Sequence, residues 1–204
     1  LIFEGALRKW VLPGLAAPLL IVRDPVALWL IFRTMQVGLL PFNIYAFCMA
    51  LVAVISFFVT LHFGHGNLYV AIYGLRIFLL HFPLIFVIGR IFDRNDVIKL
   101  GKFVTWLSIP MAILIAYQFY SPQSAWVNLG VGGDEKGAGF GGALGYFRPP
   151  GTFSFTNGTS SFFTLAAPFI FFFWLQRKKM NKLVLIGATA ALIAAIPLSI
   201  SRTL

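Results

Sequence analysis

Long apolar runs, separated by short charged stretches, constrain this chain more than any other feature. About 20 apolar residues in a helix cross a hydrocarbon core of roughly 30 Å, and these runs lack the strict alternation of barrel strands. Only 11% of the 204 residues are charged, against about a quarter in a soluble domain. The sequence therefore predicts an all-α, polytopic transmembrane helix bundle. Its five clear spans are predicted at 44–63, 69–89, 103–120, 157–175 and 183–200.

Two shorter N-terminal apolar segments, 10–22 and 26–41, fit this pattern less well. The first contains Pro13 and Pro18 and is short for a span, and the second contains Arg33. We expect these segments to form a short hairpin or to lie partly in the membrane interface.

The loops between the predicted spans leave no room for a soluble domain, so residues 1–204 are expected to form a single transmembrane domain. The chain begins at Leu1 without a Met and stops at Leu204, just after a span. We expect it to be a fragment of a longer protein.

The distribution of Lys and Arg orients the predicted spans. Loops 90–102 and 176–182 carry four basic residues each, 64–67 carries none, and the long loop 121–156 carries two. Short basic loops stay in the cytoplasm, which places 64–67, 121–156 and Arg202 on the extracytoplasmic side. The net charge of +10 comes from residues that punctuate apolar runs, so it indicates membrane topology and not a nucleic-acid partner.

The loop 121–156 is glycine-rich, and its Gly137, Gly139 and Gly142 formally match a dinucleotide-binding motif. That motif needs a βαβ unit, and none can be placed in this sequence. The pattern favours a mobile extracytoplasmic loop.

Arg148 stands just before an apolar segment, in the sequence Arg148-Pro-Pro-Gly151. The prolines stiffen the chain, and Gly151 allows close backbone approach. Thr156 or Asn157 is expected to cap the helix that follows. The positive end of that helix and the arginine together form a phosphate-type site. The alternative is an interfacial arginine that reaches towards lipid headgroups.

Ser201 and Arg202 end the last predicted span on the same face as Arg148. A single arginine there is typical of a membrane anchor. Two guanidinium groups, however, offer the planar bidentate geometry that suits a diphosphate.

Arg76 lies inside the predicted span 69–89, with Tyr73 one turn before it and His81 further in. A charge at that depth faces a protein or water-filled interior, so Arg76 is either a site residue or part of a structural pair.

None of the predicted membrane segments carries a carboxylate, which argues against ion-coupled transport and against a metal-dependent reaction. With Cys48 as the only cysteine, no disulfide or cysteine-based metal site is expected. The sequence therefore predicts no metal and no cofactor.

Two motifs resemble those of the O-antigen ligase and polymerase superfamily of bacterial envelope proteins. One comprises Arg148, Gly151, Thr152, Phe153 and Asn157, and the other is Ser201-Arg202. Looser similarity to a polysaccharide-polymerase-type branch comes from Glu4-Gly-Ala-Leu-Arg-Lys-Trp10, Arg23-Asp24-Pro25 and Tyr73-Gly-Leu-Arg76.

The resemblance implies a multi-pass glycosyltransferase of the bacterial inner membrane that builds lipopolysaccharide or exopolysaccharide. Its donor is a polyprenyl-diphosphate-linked glycan, and its acceptor is another glycan or a lipid. The resemblance implies Arg148 and Arg202 as the diphosphate ligands, and we expect Arg76 to extend the site. The supporting residues are Gly151, Thr152, Asn157 and Ser201.

In that family a catalytic histidine lies on a later extracytoplasmic loop, and none of the three histidines matches it, so the fragment alone is expected to be inactive. Two other functions remain open. One is a transporter or flippase for a lipid-linked anion, and the other is a non-catalytic membrane scaffold.

Overall fold

The computed structural model describes residues 2–39, 43–64, 66–137, 140–142, 145–176 and 180–200. Their regular secondary structure is helical, apart from one two-stranded hairpin. The predicted all-α fold is confirmed.

Six helices in the described ranges are long and apolar enough to cross a membrane. Most of their surface is not covered by protein: among the 19 residues of Ile44–His62, only Ala53 is buried. Apolar faces of this kind are stable in lipid but not in water, so the chain is a multi-pass membrane protein. We number the spans 1 to 6: Pro13–Gln36, Ile44–His62, Leu68–Ile91, Arg94–Tyr120, Thr156–Leu175 and Lys182–Ser199.

Span 1 corrects the prediction for the N-terminal region. The expected hairpin of 10–22 and 26–41 is wrong, because consecutive helical pieces run from Pro13 to Gln36 and together form a candidate span. It comprises a 3₁₀ turn, Pro13–Leu15, and the helices Ala16–Ile21 and Arg23–Gln36. Each of its prolines stands in the first turn of one of these pieces, where a missing N–H group costs no helical hydrogen bond.

Span 4 is longer than predicted. It begins at Arg94, so only Phe92 and Asp93 separate it from span 3. The segment 90–102, expected to be a basic loop, is therefore mostly helical, and Lys99 and Lys102 lie on the first turns of span 4.

Span 3 consists of three pieces: Leu68–Arg76, a π-helical turn at Ile77–His81, and Pro83–Ile91. Pro83 has no N–H group, and its ring would clash with the carbonyl group four residues earlier in a continuous α-helix. The π turn stands immediately before this proline and accommodates it.

The helices form two compact units. The main unit comprises residues 1–20 and 94–204, and the middle unit comprises residues 21–93. In the main unit, span 4 packs on spans 5 and 6. Small side chains on span 6 bring the helices close together, as is usual in membrane bundles. The core of the main unit includes Met111, Ile115, Phe163, Phe173, Ala188, Ala191 and Ala195.

The main unit also holds two short N-terminal elements, Glu4–Ala6 and a π-helical turn at Leu7–Val11. They contact the loop that joins spans 4 and 5. That loop contains the 3₁₀ turn Trp126–Asn128 and the antiparallel strands Phe140–Gly141 and Phe147–Arg148.

The N-terminal segment and this loop must lie on the same side of a membrane, because they are hydrogen-bonded to each other. The Nε1 atom of Trp10 donates to the carbonyl oxygen of Trp126 at 3.1 Å, and the two indole rings stack. Four spans separate the two segments. An even number of crossings returns the chain to its starting side, so the six-span arrangement agrees with the contact.

We expect Gly101→Ala to destabilise the main unit. A Cβ atom at Gly101 would overlap the ring of Phe169, and overpacking of this kind costs about 1–3 kcal/mol. Gly89→Ala is the matched control, because nothing lies within 4 Å of a Cβ atom there. Thermal unfolding in detergent should show a lower midpoint for Gly101→Ala than for Gly89→Ala. Equal midpoints would contradict this packing.

Candidate anion-binding site

One hydrogen-bond donor of Arg148 has no partner among the residues that the structure describes. It ends the second strand of the hairpin, opposite Phe140, and its side chain is partly buried. Within the described residues, its Nε atom is buried and has no hydrogen-bond partner. A guanidinium group is always charged and carries five N–H donors. An unpartnered buried donor is costly, so an acceptor bound here would relieve that cost.

The N-terminus of span 5 lies beside Arg148. The helix starts at Thr156, and its N-cap residue is Phe155, which provides no side-chain cap. The expectation that Thr156 or Asn157 caps this helix is wrong, because both residues already lie within it. Without a side-chain cap, first-turn N–H groups and the positive end of the helix dipole face outwards.

A cavity of about 360 Å³ joins these two features. It is lined by Arg148, Phe155, Thr156 and Asn157. Asn157 also lines a second cavity of about 710 Å³, which follows one face of span 5. The first turns of that face are polar. The other residues that line this second cavity are Ser160, Ser161, Thr164, Leu165 and Pro168. The Arg148 Nε donor, which has no partner in the described ranges, the helix N-terminus and the open volume together form a site suited to an anion.

Gln118 of span 4 holds the loop backbone that leads into span 5. The Gln118 side chain, 1% exposed, accepts a hydrogen bond from the Gly151 N–H at 2.7 Å and donates to the Gly151 carbonyl oxygen at 3.3 Å. Its Nε2 atom also donates to Val127. Gly151 has a φ of +60°, a conformation that other residues rarely adopt. Gln118 therefore fixes the loop backbone at Gly151 and at Val127.

The N-terminal segment holds the same stretch from the other side. The Lys9 ammonium group donates to the Gly151 carbonyl oxygen at 3.3 Å, and Arg8 donates to the Ser154 hydroxyl at 2.9 Å. The Thr152 hydroxyl donates to the carbonyl oxygen of Ile2 at 2.7 Å. These contacts join residues separated by more than 140 positions in the sequence and fix residues 151–154 relative to span 4.

Gly5 makes this contact possible. A Cβ atom at this position would overlap backbone atoms of Thr152, Phe153 and Ser154. Lys9 is almost completely buried in the same contact, and burial lowers its pKa from 10.5 to about 7. Sequence reasoning on charge and hydropathy did not identify Gly5, Arg8 or Lys9 as site residues. The available signal was their motif, Glu4-Gly-Ala-Leu-Arg-Lys-Trp10.

The structure brings four of the predicted site residues together: Arg148, Gly151, Thr152 and Asn157. Arg148 and Asn157 line the cavity, while Gly151 and Thr152 are buried supports. Ser201 and Arg202 lie outside the described residues, so their predicted roles stay predictions.

Arg76 belongs to the middle unit, where its Nη1 atom donates to the Asp24 carboxylate at 2.5 Å. The structural pair left open by the sequence is therefore observed. It also corrects the expectation that no membrane segment carries a carboxylate, because Asp24 lies within a candidate membrane span.

A scan against protein-family models, a search of curated proteins and a search of solved structures each found no match to this chain. The function is therefore inferred from the chemistry of the site.

We expect Gly5→Ala to loosen the loop, because the new methyl group must displace the N-terminal segment from residues 152–154. Gly14→Ala is the matched control, with nothing within 4 Å of its Cβ atom. Hydrogen exchange of residues 150–155 should be faster in Gly5→Ala than in the native chain and unchanged in Gly14→Ala. Unchanged exchange in both variants would show that the segment does not support the loop.

Lys9 should make the stability depend on pH. Its folded pKa of about 7 lies below its unfolded value of 10.5, so the folded state binds fewer protons between these limits. Stability should rise with pH across that window, by at most about 1.4 kcal/mol per pH unit. Comparing unfolding of the native chain and Lys9→Met from pH 7 to pH 10 checks this, because the variant should lack that slope. Parallel curves would contradict it.

Proposed function

We propose that this chain binds the diphosphate group of a polyprenyl-diphosphate-linked glycan at the outer face of the bacterial inner membrane. It would do so as part of a glycosyltransferase that assembles envelope polysaccharide. The acceptor is a glycan or a lipid. The proposal combines the resemblance of the Arg148 and Ser201-Arg202 motifs to the O-antigen ligase and polymerase superfamily with the chemistry of the cavity.

The observation that carries the proposal is the buried Nε atom of Arg148, which has no partner within the described residues and lies in a cavity at the start of span 5. Arginine suits a diphosphate because its donors form a planar fork. The helix N-terminus adds N–H groups and a partial positive charge. We propose that the guanidinium group of Arg202 is the second arginine ligand of the diphosphate, supported by Ser201, its neighbour in the sequence.

The site would serve the leaving group of the reaction. When the glycan is transferred, negative charge develops on the diphosphate that departs. Fixed donors at that position stabilise the charge without a metal ion. Because the loop is tied to span 4 and to the N-terminal segment, the donors do not have to be reorganised during the reaction. No residue of this chain is proposed as the general base.

Replacing Arg148 tests the proposal. In the full-length protein, Arg148→Ala should lower glycan transfer about 10- to 100-fold and cause the lipid-linked donor to accumulate. A hydrogen bond to a charged group is worth about 1.5–3 kcal/mol, which corresponds to roughly that factor. Arg148→Lys should retain part of the activity, because it keeps the charge but loses the fork. The assay measures polysaccharide and donor in the same membranes.

Lys136→Ala is the matched control. It removes the same charge from the same loop, but Lys136 is exposed and does not line the cavity. Its activity should remain close to that of the native chain. If Arg148→Ala left glycan assembly unchanged, the diphosphate site would be refuted and a scaffold role favoured. If the two variants lost activity equally, the effect would reflect loop charge alone.

Movement of a lipid-linked anion across the membrane is the second candidate function. The observation that favours it is the presence of Asp24, Arg76 and His81 in two candidate spans, since ion-coupled transporters use ionisable groups at that depth. Translocation of a labelled polyprenyl diphosphate across vesicles containing the full-length protein separates the two functions. A transferase leaves the lipid in its original leaflet.

A further inference from the structure

A third cavity, of about 440 Å³, lies between the first turns of span 4 and the second half of span 5. Both parts belong to the main unit. Its volume is within the range of ligand-binding clefts, about 300–1,000 Å³. Two of its residues also line the second cavity, but Arg148 lies at the opposite end of span 5. We call this cavity the inner groove, and its lining residues are Arg94, Val97, Ile98, Leu165, Pro168, Phe169 and Phe172.

The inner groove combines one charged end with an apolar wall. Arg94 is the first residue of span 4 and is exposed, and the other described residues that line the groove are apolar. From Leu165 to Phe172 the wall follows span 5 for about 10 Å, at 1.5 Å per residue. That length is roughly a third of the hydrocarbon core of a bilayer. The groove therefore has a cation at the end of the span and apolar surface leading away from it into the membrane.

Gly101 of span 4 fixes the wall of the groove. A Cβ atom at Gly101 would overlap the ring of Phe169, so this ring lies directly against the helix backbone. Phe169 is only partly buried, and it also lines the groove. The contact that packs span 4 on span 5 thus also holds an aromatic surface in place for an apolar ligand.

The basic residues around the inner groove assign it to the cytoplasmic side. Lys99 and Lys102 lie on the first turns of span 4, and the segment 176–182 after span 5 carries four basic residues. Clusters of this kind mark the cytoplasmic ends of spans. The nearby carboxylate of Asp96 is paired with Lys99 at 3.1 Å and does not line the groove. Anionic lipids of the cytoplasmic leaflet are attracted to basic pockets between spans.

We propose that the inner groove binds one anionic phospholipid of the cytoplasmic leaflet. The phosphate contacts the guanidinium group of Arg94, which offers two parallel donors to such an anion. One acyl chain lies along the apolar wall, against Val97 and Phe169. A transmembrane helix in the same place would need a carboxylate opposite Arg94, whereas a phospholipid carries its anion and its apolar chain in one molecule. The proposal does not depend on the anion site.

Photolabelling tests the headgroup contact on the full-length protein in phosphatidylcholine nanodiscs. The probes are phosphatidylglycerol and phosphatidylcholine that carry the same photoreactive acyl chain, and labelled peptides are identified by mass spectrometry. Residues 165–172 should be labelled about fivefold more strongly by phosphatidylglycerol, because one basic residue near an anionic lipid contributes a factor of about that size. Ile113, which is 66% exposed on the same span as Arg94, is the internal control and should be labelled equally by both probes.

Arg94→Gln should abolish the preference for phosphatidylglycerol at residues 165–172. Lys99→Gln is the matched control, because it removes the same charge from an exposed residue that is paired with Asp96 and does not line the groove. It should keep the preference. Equal labelling by the two probes in the native chain, or an unchanged preference in Arg94→Gln, would overturn the proposal and leave only non-specific contact with the bilayer.

A second pair of variants tests the position of the acyl chain. Val97→Trp places a larger side chain in the groove from an exposed position and should lower phosphatidylglycerol labelling of residues 165–172 to the level of phosphatidylcholine. Ile113→Trp makes a similar change outside the groove and should leave the labelling as in the native chain. Unchanged labelling in Val97→Trp would show that the chain lies elsewhere, which would also overturn the proposal.

Discussion

The peptide group of Gly151 is the point on which the anion site depends. Gln118 binds both its N–H group and its carbonyl oxygen, and Lys9 donates to the same oxygen. A buried peptide group without partners would cost free energy, so this arrangement fixes the loop where span 4, the N-terminal segment and span 5 meet. The cavity beside Arg148 keeps its shape because the backbone next to it has little freedom to move.

Cations near this loop have different roles. Arg8 uses its donors within the protein, on Ala16 O and the Ser154 hydroxyl, and also lies near Glu4. Lys9 is buried, with its charged form disfavoured. Arg148, by contrast, keeps a donor without a partner in the part of the chain that the structure describes. Arg8 and Lys9 therefore stabilise the loop. Arg148 contributes a positive charge to the cavity that it lines.

The apolar runs were sufficient to predict spans 2 to 6, because a helix in lipid must be long and apolar regardless of its neighbours. Span 1 was missed because Arg23 and Asp24 interrupt its apolar run, and only the pairing of Asp24 with Arg76 on another span explains how a carboxylate is accommodated there. Arg148 and Asn157, which line one cavity, could be predicted as neighbours from a local signal, an arginine before a helix start. Gly5 and Lys9 were not, because their contacts lie more than 140 residues away in sequence.

A distance measurement tests the central claim most directly, namely that the Arg148 cavity holds a diphosphate. Solid-state NMR can measure dipolar coupling between phosphorus in a bound polyprenyl diphosphate and ¹⁵N in the arginine side chains of the full-length protein in lipid. The account predicts strong ³¹P–¹⁵N coupling that is lost in Arg148→Ala and retained in Arg33→Ala, where the arginine bonds to Gln36 in an exposed position. Coupling of equal strength in the native chain and Arg148→Ala would contradict it.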